Sequence, residues 1–228
     1  MSDERALVLA VHEAIEQYYD LDRWHWTDET SAYDVVLGAI LVQHIAWTNV
    51  ERAIGRLSEA GVESFEAVGE LAEDVLADLV RPAGTPLTKA RRLQAFAALT
   101  ARHGGLDALL TLPPVELRPT LLATPGIGPE TADVIVLYGA RASTIVHDAY
   151  TARLFGRLGF GPASSRYDVW QAWLEALLPQ DAAYRRRHHA GITVHCKETC
   201  RARPKCAACP LQELCAYGKD LGTGLDGH

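Results

Sequence analysis

The chain has 228 residues, 48% of them hydrophobic and 22% charged, enough to bury a sizeable core in one or two compact domains. No stretch approaches the roughly 20 uninterrupted apolar residues of a membrane span, and the polar start Met1-Ser2-Asp3-Glu4-Arg5 fits neither a signal nor a basic transit peptide, so a cytoplasmic protein without a membrane partner is expected. The net charge of −7 excludes a uniformly basic nucleic-acid binder, but from Tyr184 to Asp220 eight basic residues face three acidic ones, a local +5 that leaves −12 elsewhere.

Apolar residues recur at helical spacing with no convincing period-two run, which predicts an all-α protein. Leu7, Val11 and Ile15 mark an N-terminal helix, and a second is expected from Tyr33 to His44 with Val36, Ala39 and Ile40 on one face. Further helices are predicted at about 48–60, 63–69, 71–79, 88–103, 106–110, 115–123, 129–140, 148–158, 166–178 and 181–195. Breakers such as Pro82-Ala83-Gly84, Gly104-Gly105, Pro113-Pro114 and Gly159-Phe160-Gly161-Pro162 separate them, and the Gly-rich end from Gly222 is expected to fray.

Between two of these helices, Thr124-Pro125-Gly126-Ile127-Gly128-Pro129-Glu130-Thr131 forms a tight glycine turn with a proline suited to the first helical position. A helix start aimed at such a turn presents N–H groups and a positive dipole end, which suits a phosphate. This is a helix-hairpin-helix design for non-specific duplex contact. A dinucleotide fingerprint fits poorly, because Thr131 stands where its third glycine belongs and a helix precedes the turn. A plain helix–helix turn stays open.

Twenty residues past Gly128, an apolar run ends in His147-Asp148-Ala149-Tyr150. Taken alone, Asp148 reads as the cap of the helix that holds Tyr150, Arg153 and Leu154, with a catalytic carboxylate the alternative. Near the C-terminus, Cys200, Cys206, Cys209 and Cys215 fall at C-x5-C-x2-C-x5-C spacing, compact enough for one loop to wrap one metal centre. Four thiolates suit a [4Fe–4S] cluster or a zinc ion. A lone CxxC pair, followed by Pro210, favours the cluster. Cys196 reads as a buried helix thiol.

Taken together, the hairpin, the acid at its offset and the cysteine loop resemble the endonuclease III family of DNA glycosylases, from about Trp24 to Tyr217. Gly128-Pro129-Glu130-Thr131-Ala132-Asp133, Asp148-Ala149-Tyr150-Thr151 and Gln43-His44-Ile45-Ala46-Trp47-Thr48-Asn49-Val50-Glu51 resemble a subgroup that includes 3-methyladenine glycosylases. The resemblance implies a two-lobed helix-hairpin-helix glycosylase fold. A helical barrel would cover residues 30–141, and residues 1–29 with 142–228 would form an iron–sulfur cluster domain, with Asp148 in the cleft at their junction.

The family implies damaged double-stranded DNA as partner, a monomer, and a damaged base flipped out of the stack. Asp148 takes the position of the acid that stabilises positive charge on the sugar. Gln43 takes that of the residue entering the gap in the duplex. Gly126, Ile127, Gly128, Thr131 and Lys89 are candidate DNA contacts, with Lys89 read as a phosphate contact or a surface charge. Arg201, Arg203 and Lys205 would be presented to the backbone by the cluster loop, a structural rather than redox role. Trp24, Trp26, Trp47 and Tyr150 are candidates for the base pocket, with core packing the alternative for the tryptophans.

Bifunctional relatives carry a lysine two residues after the second hairpin glycine, where this chain has Glu130. A carboxylate forms no imine, so a monofunctional glycosylase is expected, with Asp148 assisting a water and Glu130 either ordering water or lying on an exposed face. The alternatives are an abasic-site lyase using another amine and a lesion-binding protein without turnover. His44-Ile45 and Thr85-Pro86-Leu87 depart from the subgroup pattern where relatives contact the base or the opposite strand.

Overall fold

A computed structural model describes residues 2–43 and 45–223, and among them every regular element is helical. The helices are α1 (Ser2–Tyr18), α2 (Ala32–Leu41), α3 (Trp47–Glu59), α4 (Phe65–Glu70), α5 (Glu73–Leu79), α6 (Pro86–Arg102), α7 (Leu106–Leu110), α8 (Pro114–Leu122), α9 (Pro129–Val134), α10 (Ala149–Leu158), α11 (Tyr167–Leu177), α12 (Ala182–Glu198) and α13 (Ala216–Thr223). None among the described residues is long and apolar enough to cross a membrane.

Their starts follow local chemistry. Ser31, Ser64, Asp148 and Asp181 accept the N–H three residues on, capping α2, α4, α10 and α12. Pro86, Pro114 and Pro129 begin α6, α8 and α9, where a missing N–H costs nothing.

The chain divides into two compact units, Asp28–Ala142 and Met1–Thr27 together with Ser143–His228. In the first, α4 and α5 pack on α6, with Phe65 and Phe96 rings 4.7 Å apart. Helix α2 is buried all round from Val35 to Leu41, beyond the single face of Val36, Ala39 and Ile40. In the second, α1 lies on α12 so closely that a Cβ at Gly191 would stand 2.8 Å from Ile15 Cγ2. Val8, Val11 and Ile15 face this core with Phe155, Trp170 and Ile192, whereas Leu7 is exposed.

Helix α2 stops at Leu41, short of His44, which lies outside the described residues. The predicted 129–140 helix widens after Val134 into a π-helical stretch, Ile135–Gly139, where Ala140 N–H reaches Ile135 O at 2.8 Å. Helix α12 runs past 195 to Glu198 and so carries Lys197 in its last turn. Helix α13 spans Gly222, which had been expected to fray; residues 224–228 lie outside the described residues.

Candidate functional site

In the unit Asp28–Ala142, α8, the turn and α9 form the hairpin. Gly126 has φ +87, and a Cβ there would collide with the Arg92 side chain, with Cδ at 2.7 Å and Nε at 2.9 Å. The position therefore requires glycine both for its backbone conformation and for its neighbour. Gln43 ties itself to this turn: Nε2 donates to Gly126 O at 3.3 Å and to Thr131 Oγ1 at 3.1 Å, and Oε1 accepts from Arg92. Thr131 is buried and Ile127 is buried, its N–H bonded to Thr124 O at 3.1 Å. Two of the expected DNA contacts thus face inward, while Gly126, Gly128 and Glu130 are exposed.

Lys89 also departs from its expected place. It is 2% exposed, and Nζ donates to Leu41 O and, at 3.1 Å, to Gln43 O, satisfying carbonyls at the end of α2. Burial, then repulsion from Arg92, pushes its pKa down to about 8. Its ammonium is turned to these main-chain carbonyls and not out to solvent as a surface charge would be. Asp133, fully buried, accepts two bonds from Arg118, at 2.7 and 2.9 Å. Ile45, in one departing segment, and Gly84, next to the other, approach each other: a Cβ at Gly84 would lie 3.6 Å from Ile45 Cδ1, and Thr85 holds φ +41. Trp47 starts α3 and donates its indole N–H to Glu51 at 2.9 Å.

In the other unit, Asp148 caps α10, with Oδ1 accepting both the N–H and the O–H of Thr151 at 2.8 and 2.9 Å. It is half-buried, and its charge reaches His189 and Lys197 of α12. Desolvation by the packed neighbours lowers the pKa of both, buried His189 and surface Lys197 alike, against the pull of Asp148. Trp24 and Trp26 are buried, edge to face at 6.0 Å. Against Trp24 stand His25, centroid 3.9 Å away, and the Lys197 ammonium at 5.5 Å. Burial, with Lys197 and His189 nearby, depresses His25 to about 3. Tyr150 packs against the core of this unit and carries the Arg153 guanidinium 5.0 Å from its ring. Arg92, His25, His189 and the particular place of Lys197 had no sequence signal, since none belongs to a recognisable local motif.

Of the basic stretch, Arg201, Arg203 and Lys205 are exposed. Arg185 is not: it is buried against Glu175, with bonds of 2.9 and 3.0 Å, and Arg187 pairs with Glu16 and Asp22. The positive segment is correspondingly weaker on the surface than its formal charge suggests.

Cys200, Cys206, Cys209 and Cys215 border one pocket, with Leu154 and Leu211 among its walls. Arg157 donates to Cys200 Sγ at 3.2 Å and to the carbonyls of Arg201 and Ala202, and the N–H of Gly218 reaches Cys215 Sγ at 3.4 Å. A hydrogen bond from Cys196, opposed by burial and helped by His195 and Arg157, pulls the Cys200 thiol down to about 4. Cys196 is a buried helix thiol pushed upward. Among the described residues no three His, Cys, Asp or Glu side chains close on a single-ion site. Four thiols border one pocket and N–H donors reach two of the sulfurs, a donor chemistry that suits a thiolate-ligated metal group.

Residues 37–180 match the family model described as HhH-GPD superfamily base excision DNA repair protein. A Methanocaldococcus jannaschii protein assigned by name to the DNA repair glycosylases is 36% identical over 212 residues, 92% of this chain and 96% of its own. An endonuclease III solved in a non-covalent complex with DNA has a similar fold, with a TM-score of 0.78 at 21% identity over 97% of this chain and 98% of that one. So has the 3-methyladenine DNA glycosylase of H. pylori bound to 1,N6-ethenoadenine, with a TM-score of 0.71 at 22% identity over 85% of this chain and 97% of that one.

Proposed function

The chain belongs to the HhH-GPD superfamily of base excision DNA repair proteins, and from that premise we propose that it is a monofunctional DNA glycosylase acting on damaged double-stranded DNA. The observation that carries the monofunctional reading is Glu130, exposed in the first turn of α9 where a nucleophilic lysine would be needed. Its carboxylate forms no imine with the sugar. Lys89, the nearest lysine in sequence, is buried with its Nζ on main-chain carbonyls.

The flipped nucleotide presents its C1′ to Asp148. Oδ1 is held by Thr151, which orients the carboxylate; Oδ2 makes neither of those bonds and faces the developing oxocarbenium charge or the attacking water. Because that attraction grows only as the bond breaks, it lowers the barrier rather than tightening substrate binding. The exposed hairpin glycines and Arg201, Arg203 and Lys205 contact phosphates, which makes binding fall steeply with salt. Gln43, here bracing the hairpin through Gly126 and Thr131, is released to enter the duplex when the base leaves the stack.

Cys200, Cys206, Cys209 and Cys215 would hold a [4Fe–4S] cluster, which supplies a structural brace for the loop rather than redox chemistry in base removal. A zinc ion is the lesser reading, since zinc knuckles come as two CxxC pairs and this chain has one, Cys206 to Cys209. Visible absorption and iron content of purified protein separate the two.

The reading is tested on duplexes bearing alkylated, oxidised or deaminated bases, scored with and without hot alkali. Alkali-dependent breaks that vanish in Asp148→Asn are expected. Breaks without alkali, trapped by borohydride, would establish a lyase instead, and binding with no breaks under either condition would establish a lesion-binding protein.

A further inference from the structure

Lys197, whose charge Asp148 favours, is left unassigned by this reaction. Its Nζ stands 5.5 Å from the centroid of the Trp24 ring and feels the charge of Asp148. Among the described residues two further titratable side chains stand against that indole, His25 and His189, with ring centroids 3.9 and 6.0 Å from it. Burial disfavours the charged form of both imidazoles. The cation over the aromatic face is the ammonium of Lys197.

We propose that Lys197 is a charge filter for the damaged base: the site takes bases that are neutral in DNA and turns away cationic alkylated purines. The inference rests on the glycosylase reading and narrows its substrate class. When the C1′–N bond of a deaminated or oxidised base breaks, the electron pair stays on the base nitrogen. Water supplies the hydroxyl to C1′, and its remaining proton ends on the base. A purine alkylated at N3 or N7 is already positive, and the same electron pair neutralises it on departure. A site for such cations offers open aromatic faces. Here the Trp24 face already carries an ammonium, and like charges a few ångströms apart repel. For a neutral base the ammonium acts in the opposite sense, since its attraction appears only as negative charge develops on the leaving group. Asp148 on the sugar side and Lys197 on the base side thus match the two charges that the reaction separates.

The test is single-turnover excision of hypoxanthine and uracil against 7-methylguanine and 3-methyladenine in otherwise identical duplexes, each rate divided by the uncatalysed rate. The protein as it stands is expected to accelerate release of the neutral bases more. Lys197→Ala is expected to slow neutral-base release by roughly 100–1,000-fold, on the scale of losing one electrostatic stabiliser, while leaving or raising release of the cationic bases. Lys197→Arg is expected to keep most of the preference. Equal slowing of both classes by Lys197→Ala, or a greater acceleration of the cationic bases by the unaltered protein, would overturn the filter and leave Lys197 a phosphate contact or packing residue. No alkali-labile site from any lesion would overturn the glycosylase reading itself, and the filter with it. Because Lys197 is exposed, thermal melts of both variants are expected to match the unaltered protein.

Discussion

The two units treat their buried polar groups differently. In Asp28–Ala142 they are matched: Asp133 accepts two bonds from Arg118, and Lys89 ends on two carbonyls. In the other unit α12 buries His188, 4% exposed, with neither ring nitrogen bonded among the described residues, next to His12 at 5.6 Å. The buried Tyr184 hydroxyl beside His12 is likewise without a partner among the described residues. A matched ion pair stabilises over a wide pH range. An unmatched imidazole is tolerated only while it is neutral. The first unit is therefore built to be sensitive to substitution, and the second to acid.

The largest effect expected is from Arg118→Ala, which leaves the fully buried Asp133 carboxylate without its bidentate partner. A loss of about 3–5 kcal/mol is expected by urea titration; a loss within about 0.5 kcal/mol would show that water or another group reaches Asp133.

Acid should act on the other unit. Burial, with His12 and His189 nearby, holds folded His188 near 3, below its ordinary 6.5. The unfolded state therefore takes up the proton first. The contribution is complete above about pH 6.5 and is lost as pH falls toward 3, at up to about 1.4 kcal/mol per unit. His12, His147 and His189 are shifted in the same direction, chiefly by burial. Melting followed between pH 7.5 and 5 should show falling Tm, and His188→Phe should flatten the slope. An unchanged slope in that variant would assign the acid sensitivity to the other lowered histidines, His25 among them.

A smaller effect is expected at the hairpin. Gly126→Ala places a side chain at φ +87 against Arg92, costing about 1–3 kcal/mol, and should weaken duplex binding by displacing the turn. Stability and affinity unchanged together would remove the hairpin from the DNA contact.

The smallest effect separates the two roles of Asp148. Alanine there removes the cap on Thr151 N–H and should cost about 1 kcal/mol, whereas asparagine keeps an acceptor and most of the stability. Both should abolish base release. Activity retained in either would leave Asp148 a cap alone.

Helix positions were legible because periodicity and caps act within a turn or two: Ser31, Asp148 and Asp181 begin helices where their side chains reach the next N–H groups. The π-helical widening at Ile135–Gly139 was not, since its apolar residues suit an α-helix equally well. Lys89 misled for a similar reason: a lysine in Leu87-Thr88-Lys89-Ala90-Arg91 looks exposed until α2 supplies carbonyls for it. Gln43 was marked as a functional residue, but nothing local showed that its amide holds Gly126, Thr131 and Arg92 together.

By itself the sequence determined an all-helical chain, a glycine turn followed by Pro129, a cap at Asp148 and four thiols spaced for one loop. Each of these depends on neighbours a few residues apart, where backbone geometry restricts what can meet. Tertiary structure alone decided that Tyr19 bonds His195 across 176 residues at 3.0 Å, that Arg157 holds the cysteine loop, and that Lys197 comes to rest over Trp24. Such pairs are set by which helix faces bury together, and residue spacing along the chain carries no record of that choice.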